Sequence, residues 1–156
     1  MSFLVDDKQP ERHAKIKSFL ADRENVIAVL LAATDFEWTV RRAILALGTS
    51  PNADIRSGVL KHCSGLDKYK EAWTKEIKRN RGKGLADVVP DWDQFREAYK
   101  LRHTLVHGVS GTTGKNYAEE RINLILAASE AVSAFALEQG FDLYSRLPVR
   151  QRPRKK

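Results

Sequence analysis

Apolar positions along this chain recur at intervals of three and four, and the strict alternation expected of half-buried strands is nearly absent. The clearest stripe is Val29, Ala33, Phe36, Val40, Ala43 and Leu47, which share one helical face. Gly48, Ser50 and Pro51 follow and end that helix. A helix over 11–23 precedes it, with Pro10 at a start that tolerates a missing amide hydrogen. Downstream, the pattern predicts a short helix over 54–62 and an amphipathic, charged one over 66–79, broken by Gly82 and Gly84. Pro90 opens a helix over 91–107, and a polar loop follows over 109–116. A last long helix, over 117–139, is rich in small residues (Ala127, Ala128, Ala131, Ala134) that admit close helix approach, and Gly140 terminates it. The expected fold class is all-α: an up-and-down helical bundle of about five helices over residues 1–145, followed by a disordered basic tail over 146–156.

Composition narrows the function classes. A chain of 156 residues, 42% hydrophobic and 30% charged, buries a real core within one domain. The longest apolar run, residues 26–33, is too short to span a bilayer. The first ten residues carry acids and no apolar segment of signal-peptide type, so a cytoplasmic protein without membrane partners is expected. Cys63 is the single cysteine, which excludes an internal disulfide framework and a multi-cysteine metal cage. The net charge of +7 is concentrated in two places. Lys75, Lys78, Arg79, Arg81 and Lys83 face only Glu76, and the tail carries Arg146, Arg150, Arg152, Arg154, Lys155 and Lys156 with no acid. Such clusters suit a polyanion, since each phosphate contact releases condensed counterions; a solvated tail and helix end account for them equally well.

The helix over 91–107 holds the candidate chemistry. Trp92, Phe95, Tyr99, Arg102 and Val106 fall on one stripe, so Arg102 fills a slot where an apolar side chain is expected. A guanidinium held there without a partner costs several kcal/mol. His103 and His107 crowd the same two turns, just before Gly108. Arg102 and His107 are five residues apart, roughly 140° around a regular helix, so they converge only if the helix end distorts or a second copy packs alongside. Cations at a helix C-terminus also complement its dipole, although that does not explain an arginine on the apolar stripe. His103 and His107 have zinc-ligand spacing, but residue 104 is threonine and no third ligand stands out. The loop around Gly111, Gly114 and Lys115 lacks phosphate-loop spacing and follows no strand. Trp38, Trp73 and Trp92 read as core, and Cys63 as inert packing.

The segment Arg102-His103-Thr104-Leu105-Val106-His107-Gly108 resembles the signature of HEPN-domain proteins: an arginine, a polar residue, three further residues and a histidine. The resemblance implies a helical bundle that dimerises and forms a composite ribonuclease site without metal or cofactor. It implies His107 as general acid/base, Arg102 as the group that neutralises phosphorane-like charge, and His103 as an orienting or phosphate-contacting residue. Asp35 and Glu37 are the candidate supporting acids, and Lys115, Lys78, Arg79 and Arg81 the candidate substrate-binding residues. Some HEPN toxins carry a modifiable tyrosine two residues after the histidine; Val109 stands there in this chain. The resulting expectation is a metal-independent endoribonuclease, a toxin or anti-phage effector with RNA as substrate, a homodimer and an antitoxin or defence protein as partner. The alternatives are a non-catalytic nucleotide- or protein-binding module and a simple nucleic-acid-binding protein.

Overall fold

The structure is a computed structural model that describes residues 7–108 and 111–155. Among these residues every regular element is helical: α1 (Gln9–Ala21), α2 (Asn25–Leu47), α3 (residues 52–62), α4 (residues 66–81), α5 (Leu85–Val88), α6 (Trp92–His107) and α7 (Lys115–Glu138). The all-α class is as expected, with seven helices rather than about five. The one no pattern announced is α5, a single turn too short for a period to register, started by the Asp87 carboxylate accepting from the Gly84 N–H at 2.8 Å. Two helices change winding. In α3 a π-helical turn, Ile55–Val59, tightens into a 3-10 turn, Leu60–His62, and in α4 a π-helical turn spans Thr74–Lys78. Val109 and Ser110, at the start of the expected polar loop, lie outside the described residues.

The chain gathers into two compact units. Unit 1 comprises Met1–Trp38 and Val89–Glu130, so it holds α1, the first part of α2, α6 and most of α7. Its centre is aromatic: Phe36 and Phe95 lie 4.6 Å apart by ring centroid, with Tyr99 and Trp92 about them. Rings at such tilted separations gain beyond the area they bury. Ile16 and Leu20 of α1 and Ile122 and Ile125 of α7 complete that core.

Unit 2 comprises Thr39–Val88 and Ala131–Lys156. The stripe predicted for α2 is buried throughout, Val40, Ala43 and Leu47 in this unit included. Trp73 packs on Phe135 and donates its indole N–H to the Lys83 carbonyl at 2.9 Å, so this tryptophan is core. The small-residue reading of α7 holds only in part: Ala128 is buried and Ala131 half-buried, whereas Ala127 and Ala134 face solvent.

The segment expected as a disordered tail is laid down against its unit through Arg152. The Arg150 backbone pairs with Asn52 in both directions, and its guanidinium donates to the Ser50 and Ala46 carbonyls at 2.9 and 3.4 Å. Arg152 reaches Asp54. Arg150 finds backbone carbonyls left open where α2 ends, a demand that every helix C-terminus makes. Beside them Glu76, 1% exposed, accepts from the Thr49 and Ser50 N–H groups, each at 3.0 Å, and from the Ser50 hydroxyl at 2.6 Å. Burial alone would raise the Glu76 pKa, but these hydrogen bonds outweigh it and hold the carboxyl below its ordinary range. Gly48 makes the approach possible: a Cβ there would meet the Ile44 carbonyl at 2.5 Å and Ile55 at 2.9 Å.

Candidate functional site

The candidate site is the C-terminal end of α6. The helix starts after Asp91, a residue in left-handed conformation (φ 47°), and its amide ladder runs regularly to His107. Gly108 closes it by donating its N–H to the Thr104 carbonyl at 2.6 Å, and a Cβ at position 108 would collide with that same oxygen. Any residue with a side chain there must open the last turn, the one that carries His107.

The stripe read from the sequence is followed at first and then left. Phe95 and Tyr99 are buried, and Trp92 is half-buried. Arg102 is only half-buried and Val106 is 48% exposed, because Ala98, Leu101 and Leu105 take the inner side of the last turns. Arg102 therefore lies at the edge of the packed face rather than within it. It makes no hydrogen bond or ion pair with a described residue. His103 and His107 are exposed, one turn apart, with ring centroids 4.7 Å from each other. A guanidinium with open donors can hold an anion, and accessible imidazoles can exchange protons, but on one regular helix Arg102 and His107 point about 140° apart.

The two candidate acids face different ways. Two residues apart on α2, they are roughly 200° apart around the helix. Glu37 accepts a short hydrogen bond from the Tyr99 hydroxyl, on α6 one turn before Arg102 and His103. Asp35 is fully buried against α1, where Arg12 Nε donates to it at 2.7 Å and His13 Nε2 lies 2.9 Å away. Asp35 is thus engaged by Arg12 and His13 of α1; Glu37 is the acid with a hydrogen bond to the motif's own helix. Lys115 is exposed at the start of α7.

The structure also sorts the bases of unit 2. Lys78 and Arg79 are exposed. Arg81 is spent, donating to the Leu47 carbonyl at 3.3 Å and to Gln139 Oε1 at 2.8 Å with its guanidinium over the Phe141 ring. Cys63 is half-buried, and burial pushes its thiol above the ordinary range against the opposing charges of Arg41 and Lys68, which makes it a poor nucleophile.

Sequence reasoning missed the cluster Arg12, His13, Asp35 and Glu130. His13 places Nε2 against Asp35 and Nδ1 against Glu130 at 3.2 Å, while Arg12 stacks on Trp38, 3.8 Å from its centroid. Each ring nitrogen of His13 thus faces a carboxylate oxygen, which ties α1 to both α2 and α7. The signal was present: Arg12, Ile16 and Leu20 recur every four residues, placing the arginine on the inner stripe of α1. Among the described residues no group of three or more His, Cys, Asp or Glu could hold a metal ion. No protein-family model, curated protein or solved structure matches this chain.

Proposed function

We propose that the chain is a metal-independent endoribonuclease of HEPN type, with Arg102, His103 and His107 as its reacting groups. One observation carries this reading: Arg102 stands half-buried without a described partner beside two exposed, adjacent imidazoles. In the reaction the ribose 2′-oxygen attacks the adjacent phosphorus and the P–O5′ bond breaks, leaving a 2′,3′-cyclic phosphate and a 5′-hydroxyl. His107 takes the 2′-proton or returns one to the departing 5′-oxygen. Arg102 donates to the non-bridging oxygens as charge builds on them, a task its planar fork suits. His103 contacts phosphate or orients its neighbours, and Tyr99 with Glu37 holds the helix that carries all three.

Arg102 and His107 point roughly 140° apart on a regular helix, so a single copy does not turn both on one phosphate. A second copy supplies the missing half. Val106 at 48%, Ile27 at 41% and Tyr117 at 51% exposure give unit 1 apolar side chains for such a contact. By the same resemblance the biological setting is that of a toxin or anti-phage effector held in check by a partner protein.

The test is cleavage of total RNA in EDTA by wild type, Arg102→Ala and His107→Ala, with end-group analysis and sedimentation. Wild type is expected to sediment as a dimer and leave cyclic-phosphate ends, and each variant to lose at least about a hundredfold in rate. Inactivity of all three with tight nucleotide binding retained would make the chain a binding module instead.

A further inference from the structure

We propose that the solvent face of α4 is a docking tract for the phosphodiester backbone of RNA, built from Lys75, Lys78 and Arg79. The choice of RNA among phosphodiester polymers rests on the reading above; the tract itself rests on separate observations in unit 2. Helix α4 is strictly two-sided. Leu66, Tyr69, Ala72, Trp73, Glu76 and Ile77 are buried, while residues 67, 70, 71, 74, 75, 78 and 79 line a groove of about 1120 Å³. The groove is graded in charge along its length. Its first turns carry Asp67 and Glu71 with Lys70, whereas its last turns carry only the cations Lys75, Lys78 and Arg79.

Three facts make those cations available. The one acid in their stretch, Glu76, is turned inward with its oxygens taken by Thr49 and Ser50. None of the three side chains makes a hydrogen bond or ion pair with a described residue, in contrast to Arg81, Arg150 and Arg152, which are all engaged. Along the turn Thr74–Lys78 and the residue after it, Lys75, Lys78 and Arg79 are exposed on the groove side while Glu76 and Ile77 are inside. The negative end of the helix dipole amounts to about half a charge, so three cations over-compensate it and leave a net positive field at this end of the groove, with Lys75 partly offset by the buried Glu76. A field of that kind, in a groove lined by no aromatic side chain, fits a chain of phosphates and does not read bases.

The experiment measures binding of the full chain to a short single-stranded 2′-O-methyl RNA, which has no attacking hydroxyl, over a range of salt concentrations. The triple variant K75Q/K78Q/R79Q alters only exposed side chains, and its thermal midpoint serves as the folding control. Affinity is expected to fall at least tenfold at low salt, and the slope of log K against log salt to become shallower by about 2, from three contacts at about 0.7 each. Unchanged affinity and slope would overturn the tract. So would a variant that keeps RNA binding but loses binding to vesicles containing phosphatidylserine. The two proposals separate cleanly. RNA binding that depends on α4 in a protein that cuts nothing would remove the nuclease and leave the tract; cleavage with an unchanged KM in the triple variant would remove only the tract.

Discussion

At the scale of single residues, Glu76 concentrates the most consequence. Its folded pKa lies below its ordinary value near 4.5, so between those two values the unfolded chain binds more protons than the folded one. Stability from this carboxylate is therefore fully present above pH 4.5 and is lost as pH falls through the depressed folded pKa. Urea midpoints taken at pH 7 and near pH 3 are expected to drop steeply for wild type. Glu76→Gln is expected to begin about 1–3 kcal/mol less stable at pH 7, because its amide gives the Thr49 and Ser50 donors only one oxygen, and to lose less on acidification. Parallel acid curves for the two proteins would show that another carboxylate governs the response. That Glu76 is buried was not legible in the sequence, where it sits among bases and reads as one acid on an exposed charged helix. Its inward turn is set by the amides after α2, about 26 residues away in sequence.

At the scale of elements, α1 and α2 are joined by an ion pair in a dry place. Removing one member of such a pair leaves an uncompensated buried charge, whereas replacing both by apolar groups is far cheaper. Arg12→Ala is expected to cost about 3–5 kcal/mol, less if His13 takes over the Asp35 carboxylate, and Arg12→Leu with Asp35→Leu to recover most of that loss. Chemical denaturation of the two variants decides it; a double variant as unstable as the single would mean that the stacking of Arg12 on Trp38, not its charge, is what matters. Elements were the part of the molecule that the sequence announced best. The α2 stripe and the span of α6 follow from a period of 3.6, which depends on local order alone. Which side of α2 meets α1 and which meets α6 depends on partners distant in sequence. For that reason Asp35 and Glu37 looked equivalent until packing separated them, and Arg102 moved from a buried stripe to its edge.

At the scale of the whole molecule, the C-terminal segment belongs to the fold. Removing residues 146–156 takes away the Arg150 contacts to Asn52, Ser50 and Ala46 and the Arg152 pair with Asp54. Truncation is expected to lower stability by about 3 kcal/mol, from a handful of hydrogen bonds each worth about 1. A thermal midpoint that does not move would return this segment to the status of an ornament. Its docking left little mark in the sequence because the Arg150 guanidinium goes to main-chain carbonyls, which every residue owns, and Asn52 and Asp54 lie about a hundred residues away. Burial pulls the Arg150 pKa down and the charge of Glu76 opposes that fall, while the guanidinium itself is held by the Ser50 and Ala46 carbonyls.

Each unit draws on two separated stretches of chain, with junctions at 38/39, 88/89 and 130/131, and the first and last of these fall inside α2 and α7. No single cut in the gene yields either unit as one continuous piece. Recombination that exchanged one unit for a homologous one would have to break within two helices and keep their phase at both breaks. A crossover at 88/89 avoids the helices but still divides both units between parents. That crossover would part the site at the end of α6 from the groove along α4, but only by splitting both units. A lineage can change them residue by residue, but it does not readily trade one while keeping the other.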